Sequence, residues 1–311
     1  MARPTPRPTG RTEWLTDRAL RAYAVVAYLF LFVPILVVVI FSFNAGRHAA
    51  ELIGFSTRWY ETAWSNVFVI KALGNSLTIA ATTAMFATLL GTSSALAMSS
   101  MNGRVRRLFE QLTYVAIIVP GIVIGIAALL FLVTAFGWLN PWLAFVLGSG
   151  APKLGLGAHS VVVTHTLFTM AIVNVIVRTR LRGMDRSLIE ASGDLYATPW
   201  RTFRQITFPQ ILPAIVAGGL LAFTFSFDDF IVAFFTAGQD QTLPIYLFAS
   251  IRRGVTPEAN AIATVLLAIT ISAMVIGGLL VRRGRALPAV ATGVDEVAAV
   301  PEAVEPAEVV A

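Results

Sequence analysis

The sequence predicts an all-α polytopic membrane protein with six transmembrane helices. Three observations carry that fold class. Of the 311 residues, 57% are hydrophobic and only 13% charged, where a soluble domain carries roughly 25% charge. The mean hydropathy is +0.76. Six apolar runs are each long enough to cross ~30 Å of hydrocarbon, which takes about 20 helical residues, and the arginines between them alternate in density as they must for a chain threaded through a bilayer.

In chain order the predicted spans are 23–43, 73–98, 112–136, 158–177, 214–235 and 260–281. The first follows arginines, as a secretory signal would, but its apolar run is too long for one and no small-residue cleavage site follows, so it reads as a retained helix. Pro34 and Pro120, with Gly91, Gly121 and Gly125, fall inside spans, where neighbouring helices satisfy the backbone groups they free. Residues 1–22 form a Pro/Arg-rich arm and 286–311 an Ala/Val/Pro tail with scattered acids. Neither has a periodic apolar face, and both are expected to be disordered. Trp59, Tyr60, Trp64, Trp138 and Trp142 suit the membrane–water boundary.

With both termini cytoplasmic, the inner segments hold Arg3, Arg7, Arg11, Arg18 and Arg21, then Arg104, Arg106 and Arg107. They continue with Arg178, Arg180, Arg182, Arg186, Arg201 and Arg204, and end with Arg282, Arg283 and Arg285. These are 17 of the 23 basic residues. Arg47, Arg58, Lys71, Lys153, Arg252 and Arg253 are left outside. This distribution obeys the positive-inside rule, and it explains the net charge of +6 without nucleic acid. The chain has no cysteine, which removes disulfides, thiolate metal sites and cysteine nucleophiles.

The inner segment 178–213 is unlike a linker. Ser187-Leu188-Ile189-Glu190 fits a capping box. Thr198-Pro199 fits an N-cap followed by a proline at the first helical position. At ~100° per residue Trp200, Phe203, Ile206 and Thr207 share one face, with Arg201, Arg204 and Gln205 on another. Pro209 and Pro213 are expected to break the helix before the fifth span. The result is a pair of short helices on the inner membrane surface, one of them presenting Glu190, Ala191, Ser192 and Asp194.

This segment resembles the Glu-Ala-Ala loop of ABC-importer permease subunits. Glu190-Ala191-Ser192 stands at the start of that pattern and Ile206-Thr207-Phe208-Pro209 at its end, at the family's spacing. The sequence departs from the pattern at Tyr196, which replaces the family glycine that permits the sharp turn, with Gly193 one turn earlier. The likeness extends over about residues 60–285, where LAFTFSFDDFIVAFFTAG and TLPIYLFASIRRGVTPEANAIATVLLA are similar to spermidine/putrescine-type importer permeases. The resemblance implies a MetI-like permease core whose inner loop (Glu190, Ala191, Ser192, Gly193, Asp194, Tyr196, Ile206 and Pro209) couples to a dimer of ATPase subunits. It also implies a second permease subunit, identical or homologous, an extracytoplasmic substrate-binding protein, and a location in a bacterial inner membrane. The chain has no GxxxxGK[ST] phosphate loop, so ATP and magnesium belong to the partner ATPase, and no cofactor is expected on this chain.

Asp228 and Asp229 lie 14 and 15 residues past Ala214, or about 21–23 Å along a helix. An ionised carboxylate at that depth costs about 2.5–3.5 kcal/mol on the insertion scale, so both side chains are expected to face the bundle interior or a wet pathway. Phe225, Phe227 and Phe230 surround them, and an aromatic wall suits cations. Adjacent helical positions differ by ~100°, so one aspartate alone can line the pathway. The same acids admit another reading, a secondary transporter or channel that uses them as a coupling-ion site without an ATPase. HExxH is absent, and adjacent helical aspartates cannot share one water as a protease dyad. His159 and His165 fall on different helix faces with no acidic partner in sequence, which argues against a metal. Asn174 and Thr164 are expected to hydrogen-bond between helices.

Overall fold

The computed structural model describes residues 12–46, 51–148, 150–252, 254 and 256–284. Arg3, Arg7, Arg11, Arg47, Arg253, Arg285 and the tail 286–311 lie outside the described residues. Among those described the chain is helical throughout, with a single antiparallel bridge between Asn44 and Phe55.

The helices are α1 (Thr12–Ser42), α2 (Arg58–Ser65), α3 (Val67–Ser100), α4 (Gly103–Ile118), α5 (Gly121–Leu147) and α6 (Ala158–Arg182). The second half holds α7 (Ser187–Asp194), α8 (Pro199–Thr202), a π-turn (Phe203–Thr207), α9 (Phe208–Asp228), α10 (Ile231–Thr236), α11 (Leu243–Arg252) and α12 (Pro257–Gly284). Six stretches are long and apolar enough to span: Thr16–Ser42, Val67–Ser100, Gly121–Leu147, Ala158–Arg182, Pro199–Asp228 and Pro257–Leu279. The number and order of spans agree with the sequence reading.

Four local expectations are corrected. Residues 12–22, read as part of a disordered arm, are helical and continue into the first span, with Asp17 and Arg21 paired one turn apart at 2.7 Å. Pro120 does not lie within a span but ends a helix. Val119 is forced out of the α region, with ψ 129, because the proline ring crowds the residue before it, so α4 is separate and the third span runs over 121–147. The inner segment bearing Arg104, Arg106 and Arg107, left between spans by the sequence reading, is the first half of α4. Conversely, Pro209 and Pro213 do not break the chain. The π-turn inserts an extra residue ahead of Pro209, and α8, the turn and α9 form one continuous rod into the membrane.

The core is the packing of α3, α6 and α9, which also make the closest set of helix contacts. Lipid-facing helices gain nothing from burying leucine against leucine, so close approach must come from small side chains. On α3 these are Ala72, Ser76, Ala80, Thr83, Ala87, Gly91 and Ala95, all buried and three or four residues apart. At Gly91 the helices meet closely, for a Cβ there would lie 2.7 Å from both the Met170 carbonyl oxygen and Val173 Cβ. Ala87, Ala95, Val173, Val177, Ile211 and Ala222 form the dry centre. Helix α1 contacts α12 at the periphery and buries almost none of its own surface.

Polar side chains lash the connections to this core. Asp240 Oδ2 accepts from Ala158 N–H at 3.0 Å and caps α6. Ser76 Oγ accepts from Leu243 N–H at 2.8 Å, while Asn66 Nδ2 donates to Tyr246 Oη and Glu258 Oε1. Asn174 bridges helices as expected, donating to Ser94 Oγ at 2.7 Å. Thr164 does not, since its hydroxyl donates to the Ser160 carbonyl of its own helix. Trp59 and Tyr60 also serve the fold. The Trp59 indole N–H donates to the Asn44 carbonyl and Tyr60 Oη lies 2.7 Å from Ser42 Oγ, so α2 is fixed to the end of α1. Trp64, Trp138 and Trp142 are exposed.

Candidate functional site

Two constellations follow from this frame: the loop between α6 and α9, and the break between α9 and α10.

In the loop, α7 begins where the capping box placed it but by other means. Ser187 and Glu190 make no reciprocal bonds. Asp185 Oδ1 accepts from Ser187 N–H at 2.9 Å. That backbone bond, and next the Ser187 hydroxyl, hold the Asp185 carboxyl below its usual range. Glu190 is therefore released from capping, and it is exposed. Ser192 is the buried member of its triplet. Its hydroxyl donates to the Ile189 carbonyl at 2.7 Å and meets Thr202 Oγ1 at 2.9 Å, docking α7 onto α8.

Tyr196 makes the turn. Ala197 N–H bonds to the Ser192 carbonyl and Tyr196 N–H to the Gly193 carbonyl, the two bonds of a Schellman motif. This motif needs a left-handed residue where Tyr196 stands, and its φ is +56. The residue thus does the work of the family glycine, while Gly193 lies inside α7. Thr198 Oγ1 accepts from Arg201 N–H at 3.4 Å with Pro199 at the first helical position, so the second start agrees with expectation. Trp200 stacks on Phe203, their centroids 5.6 Å apart. Ile206 is half-buried and Pro209 exposed.

The loop presents an apolar surface that nothing among the described residues covers. Leu195 is 82%, Tyr196 95% and Trp200 68% exposed, and Leu188 and Ile189 are open beside Glu190 and Asp194. An apolar patch rimmed by acids is the composition of a protein-docking surface.

Both ends of the loop are held. Arg180 Nε donates to the Gln210 carbonyl at 2.9 Å and joins α6 to the start of α9. Arg178 and Arg182, read from sequence as topology markers, converge on Glu110 Oε1 of α4 at 3.1 and 2.7 Å, with Arg106 Nε at 3.6 Å. Arg178 is buried. Glu110 gave no signal in sequence beyond being the single acid of α4.

At the second constellation the two aspartates part company. Helix α9 ends at Asp228, and Asp229 is extended with ψ 123, so they do not share one helix as expected. Asp229 Oδ2 accepts from Val232 and Ala233 N–H at 2.9 and 3.0 Å and thereby caps α10. The same oxygen lies 3.3 Å from Nε2 of His165. The ring N–H does not point along that contact, so it is not a hydrogen bond. His165 is fully buried, and its Nδ1 lies 2.8 Å from Ser226 Oγ. No acidic partner of His165 is legible in the sequence; the helix break brings one near by turning Asp229 inward. Among the described residues no group of three potential metal ligands occurs.

Asp228 turns outward. Its Oδ1 accepts from Thr270 Oγ1 of α12 at 3.0 Å, and it borders an otherwise largely apolar cavity of about 270 Å³ lined by Ile35, Val38 and Val39 of α1 and by Leu266 and Leu267 of α12. The phenyl groups do not close around the acids: Phe227 is buried on Phe223, Phe230 packs on Phe248 with 4.5 Å between centroids, and Phe225 is exposed.

A family model described as binding-protein-dependent transport system inner membrane component matches residues 87–285. The chain belongs to that family. As such a component it is a membrane permease subunit of an ABC importer, and relatives match most of the chain. The putrescine transport system permease protein PotI of Escherichia coli is 39% identical over 245 residues, covering 78% of this chain and 83% of the relative. The spermidine/putrescine transport system permease protein PotC of Haemophilus influenzae is 33% identical over 264 residues, covering 84% and 96%. Among solved structures, a chain of a bacterial ABC transporter involved in alginate import superposes with a TM-score of 0.68 at 14% identity, covering 87% of this chain and 96% of that one. A chain of the MetNI methionine ABC transporter gives 0.54 at 16%, covering 69% and 95%. These two establish the shared fold of an inner-membrane component.

Proposed function

We propose that this chain is the permease subunit of an ATP-driven importer of polyamines of the putrescine and spermidine class, seated in a bacterial inner membrane with both termini cytoplasmic. The identity to putrescine and spermidine/putrescine permeases over most of the chain carries the substrate class. The subunit itself is non-catalytic. Paired ATPase subunits bind ATP and magnesium, a second permease subunit completes the pathway, and an extracytoplasmic binding protein delivers the solute.

In this reading Glu190, Ala191, Gly193, Asp194 and Tyr196 meet the ATPase, whereas Ser192, Ile206 and Pro209 shape the surface they present. The unbroken helical stretch from Pro199 to Asp228 supports the coupling role, because it joins Trp200 in the loop to the helix end at Asp228. Asp228 and Asp229 supply the carboxylates for a polycation, with Asp228 the less engaged of the two.

Replacing Glu190 by Lys tests the docking. Uptake of radiolabelled putrescine in cells should fall more than tenfold, with the variant present in the membrane at the normal level and ATP hydrolysis no longer tied to uptake. Uptake at the wild-type rate would refute it.

A further inference from the structure

A solute delivered at the outer surface must be held there before it reaches the aspartates. We infer that the cavity where the starts of α3 and α12 meet α11 is a receiving site for the leading ammonium group of the polyamine, with Glu258 as its carboxylate. This deepens the proposed transport of polyamines and rests on it.

The cavity measures about 550 Å³ and is lined by Asn66, Phe68, Gln241, Tyr246 and Ala249. One span, Pro199–Asp228, lies between the loop that carries Glu190 and the segment that holds Gln241 and Tyr246. The cavity is therefore on the outer face in the proposed orientation.

Asn66 organises the site. Its Oδ1 accepts from Phe68 N–H at 3.1 Å and caps α3, which leaves Nδ2 to donate to Tyr246 Oη at 3.0 Å and to Glu258 Oε1 at 3.1 Å. Two oxygens from separate helices are thus drawn to one point on the cavity wall. Glu258 Oε2 accepts no hydrogen bond among the described residues, and a phenol oxygen has a second lone pair, so both can still receive an N–H. Phe68 is 73% exposed, and an open ring face attracts a cation.

The ligand that suits a carboxylate, a phenol oxygen and an open ring is an alkylammonium, its charge on the oxygens and its methylenes on Phe68 and Ala249. A polyamine arrives charged, since amines titrate near ~10. The neighbouring bases do not take the place. Lys71, one turn along α3 from Phe68, is exposed and does not line the cavity, and Arg252 is turned onto the Phe248 ring at 4.8 Å. Phe248 also leads inward, for its ring lies 4.5 Å from that of Phe230, the neighbour of Asp229. Helix α11 so joins the receiving site to the helix break.

The test uses the whole importer in nanodiscs without binding protein, which leaves the outer face open. The chain has no cysteine, so Ala249→Cys, with partner subunits also freed of cysteine, puts a single thiol on the cavity wall. Two methanethiosulfonates are compared, one bearing a trimethylammonium and one a sulfonate, each normalised to its rate with a free thiol in solution. The cationic reagent should react roughly fivefold faster, because a carboxylate in a cleft concentrates cations. Glu258→Gln, which keeps an acceptor for Asn66, should abolish the difference. Putrescine should slow modification of the thiol, whereas the uncharged diol of the same length should not. Equal rates for the two reagents, equal protection by amine and diol, or protection that survives Glu258→Gln overturns the inference. Should Glu258→Gln fail to assemble, Tyr246→Phe removes one acceptor oxygen and should weaken protection by putrescine; undiminished protection overturns the inference. Absence of putrescine uptake by the wild-type importer with its binding protein would instead sink the substrate reading, while uptake without protection sinks the receiving site alone.

Discussion

At the scale of single residues the most telling position is Tyr196. A left-handed φ costs an L-residue roughly 1–2 kcal/mol relative to glycine, and an aromatic residue there is uncommon. Its ring is almost wholly exposed and recovers nothing by packing among the described residues. Glycine at 196 should thus relieve the strain, offset by about 0.5–1 kcal/mol of extra unfolded-state entropy, and leave thermal stability in detergent nearly unchanged. Valine, β-branched and unable to adopt the turn cheaply, should destabilise the loop by about 1–2 kcal/mol. Thermal unfolding of both variants decides the matter, and equal stability of the two would show that the turn relaxes rather than holding its φ. The residue was legible in sequence as a departure from a pattern. Its conformation was not, since a Schellman motif is defined by backbone bonds from Ala197 and Tyr196 that any side chain can accompany.

At the scale of elements, prolines behaved oppositely at two places that read alike. Pro120 ends a helix because the residue before it has nowhere helical to go, whereas Pro209 is absorbed by the π-turn at Phe203–Thr207. Composition does not separate these outcomes; the backbone's ability to widen by one residue does. The same limit hid the clasp of α4. Arg178 and Arg182 lie one turn apart on α6, but their acid is some 70 positions upstream, and nothing in a single sequence joins them. Arg178 is buried, so deleting Glu110 leaves a guanidinium unpaired away from water, a defect that costs about 3–5 kcal/mol when complete. Glu110→Ala should lower stability by about 3 kcal/mol and loosen α4, while the double variant Glu110→Ala with Arg178→Met should recover most of the loss because no orphan charge remains. A double-mutant cycle by thermal unfolding reads the coupling directly; strict additivity of the two changes would show that the pair contributes nothing.

At the scale of the whole molecule, the span count was legible because crossing hydrocarbon leaves a long, coarse signature, whereas helix breaks leave a short one. The small-residue seam of α3 and the inward turn of Asp229 were invisible for a related reason: alanine and aspartate disclose their role only once a neighbour is placed against them. Sidedness is a separate question, for the fold fixes relative sides and the arginines choose between the two absolute orientations. Residue 153 follows the third span and residue 195 the fourth, so a membrane must lie between them whichever way the protein inserts. In the proposed orientation the side of residue 195, which carries the excess of arginine, is the cytoplasmic one. Because the chain has no cysteine, one introduced at Lys153 or Leu195, both exposed, is the sole target for a membrane-impermeant maleimide. Lys153→Cys should react in intact cells, and Leu195→Cys only after the membrane is opened. The reverse pattern would place the docking surface away from every source of ATP and remove the mechanical basis for coupling, whereas labelling of both in intact cells would contradict the span between them.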